Sequence, residues 1–463
     1  MKQFRKKPQY VPRLDQGFRP MALENAAYRE ALEKSSQVEE VKVSIERNNG
    51  YCSTTTVKIF GEDSGYCEDT VVYIDRLVKS LLWIKGGYKI LFAGPDYLFQ
   101  HLKDVYQKGK EREFDALFMG KVYGKEFCVE KKGFDEIPDS KEEEKKIGRN
   151  LDGCRIGFDA GGSDRKVSAV IDGEPIYSEE VVWHPKITED PTYHYQGILD
   201  SIQRAAEKLP KVDAIGISAA GIYIDNEVKA ASLFRVIPEK EFDEKVKKIF
   251  FEVVKEIGDI PFEVANDGDV TALAGAMDLN ENNILGIAMG TSEAVGYVNE
   301  EGNITGWLNE LAFVPVDYSE EAIVDEWSQD RGVGVSYFSQ DAVIKLAPAA
   351  NIHLEESLSP AEKLKVVQDL VEKEDPRAYE IFETIGIYLG YSLAYYSDFY
   401  DMKKVLLLGR VMSGEGGERM IQKANEVIAK EFPKLYEKIT LVTPDEKAKR
   451  VGQSIAAASL VSL

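Results

Sequence analysis

Residues 261–297, PFEVANDGDVTALAGAMDLNENNILGIAMGTSEAVGY, decide the fold, because they put a carboxylate at the end of one strand and a glycine turn at the end of the next. Residues 262–265 are a short apolar run, and Asn266-Asp267-Gly268 ends it where a helix must begin, so Asp267 stands at a strand's carboxyl end. In open α/β sheets ligands bind at that end. A second apolar run, 284–289, breaks at Gly290-Thr291-Ser292 and resumes over 293–298. The backbone N–H groups of such a turn can hold a phosphate.

Working outward, 463 residues suffice for two or three domains. The net charge of −22 argues against a surface that neutralises nucleic-acid phosphates, so the basic group Lys2, Arg5, Lys6 and Lys7 reads as a solvated tail. Cys52, Cys67, Cys128 and Cys154 are too far apart for a metal knuckle or a disulfide framework, which points to reduced thiols. No apolar run is long enough to span a bilayer, and the N-terminus lacks the apolar segment of a signal peptide. The expected location is cytoplasmic, with no membrane partner.

Residues 1–138 read as an α+β module: a helix over 20–35, two strands within 38–60 joined at Asn48-Asn49-Gly50, a helix over 69–83, a strand at 88–93 and a helix over 95–108. Nothing in this module states its role. The charged run within 139–152 reads as a linker. Beyond it one order of elements occurs twice. A strand at 155–158 leads to Asp159-Ala160-Gly161-Gly162-Ser163, a return strand at 166–171, the Asp172-Gly173 turn and a third strand at 175–182. Helices over 195–209 and 242–257 alternate with strands at 212–218 and 262–265, and a helix over 269–277 closes the half. The second unit repeats the hairpin from 284, with a third strand running into Trp307, then helices, strands at 404–408 and 439–442 and a helix over 451–463. The repeat, roughly 130 residues apart, is a duplication that makes an α/β fold of two lobes, 153–280 and 281–463, facing across a cleft.

A glycine turn from each lobe would clamp a polyphosphate: Gly161, Gly162 and Ser163 from one, Gly290 and Thr291 from the other. Gly161-Gly162-Ser163 alone is a weak signal, since glycines at strand turns are more often plain hairpins, and its pairing with Gly290-Thr291 at the equivalent place strengthens it. Asp159 could hold a water of a Mg²⁺ ion that bridges phosphates, or cap its turn. Asp267 is the chosen general base for a hydroxyl attacking a γ-phosphate, and helix capping is its structural alternative. Asp269 is expected to cap the helix and leave Asp267 free. Glu310, in GWLNELAFVP, is either a sugar-hydroxyl acceptor or a solvated side chain. His184 and His194 read as structural or exposed.

These segments resemble the ROK (repressor, open reading frame, kinase) sugar kinases and regulators of the actin-like ATPase superfamily, which has a duplicated ribonuclease H-like fold. The likeness runs from about Cys154 to the C-terminus. IGFDAGGSDRKVSAVIDGE is similar to the first phosphate motif, AIGISAAGIYIDNEV to the connecting segment and EVANDGDVTALAGA to the catalytic segment. GIAMGTSEAVGYVNEEGNITG is similar to the second phosphate motif and VLLLGRVMSGEGGERM to the nucleotide-base segment. The resemblance implies an ATP-dependent, glucokinase-like sugar kinase using Mg²⁺, or a non-catalytic sensor of the same fold. Asp267 would accept the proton, Asn266, Gly221 and Glu310 would touch sugar, and Gly409 and Gly414 would border adenine. Partners would be a sugar and ATP, with a homodimer compatible and no nucleic acid. The family's Gly-His pair is replaced by Ala312 and Phe313, and no cysteine-rich loop follows. Hence no zinc is expected, and the sugar pocket should be more apolar on that side. Ser292-Glu293 should bring a negative charge near the second phosphate turn.

Overall fold

The strands CRIGFDA (β5, Cys154–Ala160) and AIGISA (β8, Ala214–Ala219) are buried at every position, which suits the middle of a sheet covered on both faces. The structure, a computed structural model, describes residues 1–143, 146–444 and 448–463. Its elements in chain order begin with α1 (Met21–Leu32), β1 (Val38–Glu46), β2 (Cys52–Phe60), α2 (Cys67–Lys85), β3 (Lys89–Ala93), α3 (Asp96–Val105), α4 (Glu113–Tyr123) and β4 (Cys128–Lys131). After β5 come β6 (Asp164–Ile171), β7 (Glu174–Val182), α5 (Pro191–Ala206), β8, β9 (Ile222–Ile224), β10 (Glu227–Ala230), α6 (Glu239–Glu241), α7 (Ile249–Ile257), β11 (Phe262–Asn266) and α8 (Asp267–Leu279). The last part holds β12 (Ile284–Met289), β13 (Glu293–Val298), α9 (Gln340–Leu346), α10 (Pro360–Glu372), α11 (Pro376–Tyr396), β14 (Lys404–Leu408), α12 (Glu415–Glu431), α13 (Pro433–Lys438), β15 (Thr440–Val442) and α14 (Ala448–Ala458).

The first lobe's sheet has the order β11-β8-β5-β6-β7, with β11, β8 and β5 parallel and the β5-β6-β7 meander antiparallel. The second has the order β13-β12-β14-β15, with β12, β14 and β15 parallel. Two helices lie between the sheets and pack on each other: α14 covers β5 and β8, and α8 covers β12 and β13. Gly157 and Gly216 allow this, since a side chain on either would collide with the backbone of α14.

Three expectations are corrected. The third strand of the second lobe does not form: Ile304 makes only isolated bridges to Val298 and Ile147. The chain leaves the sheet there because Trp307 is drawn onto Tyr297, with rings 5.5 Å apart and 7° from parallel, while its Nε1 donates to Glu142. The helix expected over 242–257 is interrupted, with a π-turn at Phe242–Val246 ahead of α7. The N-terminal module also contains α4 and β4, giving a sheet of order β2-β1-β3-β4 with β4 parallel to β3.

This module shares a core with the second lobe. Leu82, Trp83 and Ile84 belong to the same buried cluster as Leu311, Phe338, Tyr388 and Tyr396. The backbone N–H groups of Asn309 and Glu310 donate to the carbonyls of Ile84 and Trp83, each at 3.0 Å. Within 139–152, Lys141 exchanges two 2.9 Å bonds with Cys52, and Glu142 accepts from Arg47 and Ser53; Glu144 and Lys145 lie outside the described residues. A buried ion network adds to the joint: Asp330 of the second lobe accepts from Arg76 at 2.8 Å, Lys79 at 3.1 Å and Arg112, and Arg112 also pairs with Asp75. These cations hold the Asp330 carboxyl well below the usual carboxylate range against the cost of its burial.

Because Asp330 is nine-tenths buried among three cations, removing it strands charge rather than relieving it. Asp330→Ala is expected to cost about 3–5 kcal/mol in chemical denaturation. A loss below about 1 kcal/mol would show that the network is solvated.

Candidate functional site

The strand β11 ends at Asn266, and the first helical N–H groups of α8 need acceptors. Asn266 is the cap: its Oδ1 accepts from the Gly268 N–H at 2.7 Å, while its Nδ2 donates to the Gly221 carbonyl at 2.7 Å. Asp267 is thereby the first residue of the helix. The expectation that Asp269 caps is wrong, because Asp269 has a distant partner. Its buried Oδ1 accepts from the Tyr297 N–H of β13 at 3.1 Å and from Asn309 Nδ2 at 3.0 Å, and Asn309 Oδ1 accepts from the Tyr400 hydroxyl. Gly268 and Gly296 make this approach feasible: a side chain on Gly296 would run into the Gly268 backbone. The helix start carried by the first lobe thus rests on a strand of the second.

Five carboxyls lie near enough to this contact for their charges to act on one another, with few cations. Burial raises the Asp267 carboxyl, which the N–H groups of Gly268 and Asp267 and the charge of Lys186 partly offset. Burial, then the charge of Asp267, pushes Glu310 up to about 7, so Glu310 is no solvated surface residue. Asp269 is pushed up to about 7 by burial, against its bonds to Tyr297 and Asn309. Asp159 is pushed up to about 6 by burial, with Ser218 Oγ donating to its Oδ1 at 2.8 Å and Asp267 adding repulsion. Near neutral pH the protons belong to the cluster as a whole.

Glu293 corrects another expectation. Its side chain points inward instead of toward the second turn, buried with both carboxyl oxygens unpartnered, and burial, then the charge of Glu310, raises the carboxyl well above its ordinary range. Phe313 packs on the N-terminal module, with its ring 4.3 Å from Trp83 and 5.6 Å from Phe114.

The Gly161–Ser163 turn is braced by Trp183, whose Nε1 donates to the Gly161 carbonyl at 2.8 Å, and the Lys186 side chain fills the space beside Gly162. Lys186, whose charge also reaches Asp267, was not signalled by the sequence. Gly290 accepts from the Gln340 N–H, and Thr291 Oγ1 accepts from Arg410 at 3.1 Å. Gly409, at φ 99°, directly precedes that arginine, and Gly414 lies four residues beyond it. No hydrogen bond joins the two glycine turns among the described residues. His194 is buried among backbone carbonyls and His184 is exposed, both as expected. Among the described residues no three His, Cys, Asp or Glu gather as a metal cage. A Mg²⁺ ion held mostly by phosphates and waters fits Asp159 nonetheless, since among the described residues this buried carboxyl makes no ion pair, though the charge of Lys166 reaches it, and has one oxygen beyond its bond to Ser218.

No protein-family model matches the sequence, and no curated protein matches it. Solved structures do match in fold. Over 66% of this chain and 96% of that one, the chain is similar to a ROK hexokinase from Thermus thermophilus, with a TM-score of 0.51 and 17% identity. It is similar to a ROK family transcriptional regulator, a homolog of the E. coli MLC protein, over 67% of this chain and 79% of that one, with a TM-score of 0.53 and 17% identity. The chain therefore has the ROK, actin-like ATPase fold, and about a third of it lies outside the match as an extra module.

Raised carboxyl pKa values set a direction for stability. Asp159, Asp269 and Glu310 keep protons in the folded chain that the unfolded chain releases above about pH 4, so these groups make stability fall as pH rises from about 4 to 7. Asp159→Asn keeps an acceptor for Ser218 and is expected to gain about 1–3 kcal/mol at pH 8 with little change at pH 4, measured by denaturation at both pH values. A loss at pH 8 would contradict this electrostatic description.

Proposed function

We propose that the protein is an ATP-dependent kinase of a sugar hydroxyl, with Asp267 as general base. The observation that carries this reading is the half-buried Asp267 carboxyl at the start of α8, close enough to Glu310 and to Lys186 at the first glycine turn to feel their charges. In the reaction the acceptor oxygen attacks the γ-phosphorus, the bond to the β–γ bridging oxygen breaks, ADP leaves and the hydroxyl proton passes to Asp267. A base whose pKa is lifted toward neutrality takes that proton more readily than a solvated carboxylate.

Asn266, Gly221 and Glu310 would orient the acceptor. The Asn266 to Gly221 bond fixes the wall on one side, and Glu310 offers an acceptor whose protonation follows Asp267. The turns at Gly161, Gly162 and Ser163 and at Gly290 and Thr291 would cradle the phosphates, with Lys186 and Arg410 supplying positive charge. Gly409 and Gly414 would border the base. Asp159 would hold a water of Mg²⁺, which supplies charge neutralisation to the β- and γ-phosphates when bound.

One observation favours a second reading, a sensor that binds a sugar or nucleotide without transfer. The backbone of Asn309 and Glu310 is bonded to α2 of the N-terminal module, so occupancy at Glu310 bears directly on that module.

With Mg-ATP and a panel of hexoses and amino sugars, the wild type is expected to release ADP in response to at least one sugar. Asp267→Asn should lower that rate by about 10²–10⁴-fold while sugar affinity stays within a few-fold. Sugar binding by calorimetry with no ADP from the wild type would replace the kinase reading with the sensor.

A further inference from the structure

Each glycine turn has one cation beside it, and neither cation has a carboxylate. Lys186 flanks Gly162, where an added side chain would come within 2.6 Å of the lysine Cε and Nζ. Arg410 flanks the second turn and donates to Thr291 Oγ1 at 3.1 Å. Neither makes an ion pair among the described residues, in a chain whose 80 acidic residues outnumber 58 basic ones. Where acid is in such excess, a lysine and an arginine left unpaired at glycine turns point to an anion from outside the chain.

The two cations are held differently. Lys186 sits in the short turn Pro185–Ile187, where His194 Nε2 lies 3.0 Å from the Pro185 carbonyl and Arg235 Nε donates to the Lys186 carbonyl at 3.3 Å. Trp183 ties this segment to the first glycine turn, its N–H donating to the Ser163 carbonyl at 3.1 Å and its Nε1 to that of Gly161. The backbone is thus fixed while the ammonium makes no hydrogen bond among the described residues, which leaves a point charge on a flexible stem. Lys186 is also the cation whose charge acts on Asp267. Arg410 belongs to the second turn instead: Gly409, just before it, packs on the Met289 backbone at the end of β12, next to Gly290. Its planar guanidinium is already anchored on Thr291.

We propose that the two cations divide a triphosphate between them: Lys186 binds the terminal phosphoryl group and stays with it during transfer, and Arg410 binds the phosphates that remain in ADP. This deepens the kinase reading, on which it rests for the placing of the nucleotide. As the bond from the γ-phosphorus to the β–γ bridging oxygen breaks and the bond to the acceptor oxygen forms, the charge is spread over the three equatorial oxygens. A mobile ammonium can follow that group, whereas an anchored guanidinium suits phosphates that do not move. Lys186 is then the residue that distinguishes a triphosphate from a diphosphate.

The experiment is calorimetry on the full chain with Mg-ADP and with the Mg²⁺ complex of AMPPNP, a non-hydrolysable ATP analogue. The Lys186 ammonium makes no internal bond that Lys186→Met would break, so the melting temperature of that variant should be unchanged. Lys186→Met should weaken AMPPNP about tenfold and ADP less than about twofold, whereas Arg410→Met should weaken both about tenfold. In turnover, Lys186→Met should lower kcat about 10²–10³-fold with the KM for the sugar within a few-fold. Equal weakening of ADP and AMPPNP by Lys186→Met, or weakening of neither, would overturn the division. A wild type that binds no nucleotide would overturn it as well. Selective loss of AMPPNP by Lys186→Met, with no ADP released by the wild type from Mg-ATP and any sugar, would keep the division of the triphosphate and remove the kinase.

Discussion

The contact between the first turn of α8 and strand β13 is the constraint on which the rest of the site depends. Two glycines, Gly268 and Gly296, meet backbone to backbone, and Asp269 then reaches across to the Tyr297 N–H and to Asn309. A side chain at Gly296 would push the helix away from the strand, and with it the carboxyl of Asp267 from that of Glu310. The electrostatics follow from this closeness. Asp267, Glu310, Asp269, Asp159 and Glu293 are raised together because each is desolvated and all but Asp159 and Glu293 border more than one of the others. Such an assembly opposes folding at neutral pH, and it persists where the surrounding packing over-determines it.

That packing comes largely from the N-terminal module. Its helix α2 ends in carbonyls that bind the N–H groups of Asn309 and Glu310, and Trp83 and Phe114 cover Phe313. The buried network around Asp330 holds the same module from a second point. The segment that would have been a third strand is given over to this joint. Trp307 is held between Tyr297, Glu142 and the ammonium of Lys85, whose pKa burial lowers to about 7. Among the described residues the second lobe's main sheet accordingly has four strands where the first lobe's has five.

Much of this was legible in residue order, and the misses share a cause. The hairpins after Asp159 and Gly290 and the strand ending at Asn266 are set by local patterns, an apolar run followed by a glycine turn or a capping residue. Asp269 was misjudged because its position satisfies a local capping rule while its partner lies 28 residues away in β13. Glu293 was expected to bring its charge to the second turn because its place next to that turn does not say which face of β13 meets Tyr396 and Tyr400. The helix α4 was missed because EFDALFMGKVY carries apolar residues around its whole circumference, with Met119 buried and Leu117 exposed. Lys186 sits twenty-odd residues from the turn it flanks and has no motif around it. In each case a tertiary partner decided what the local pattern left open.

The most direct test of the account is a crystal structure of the protein with Mg²⁺ and a non-hydrolysable ATP analogue. The account predicts a terminal phosphate between the Gly162 turn with Lys186 and the Gly290 turn with Thr291, facing the Asp267 carboxyl across the space left for a hydroxyl. A nucleotide bound away from both turns, or an Asp267 side chain directed away from the terminal phosphate, would contradict it.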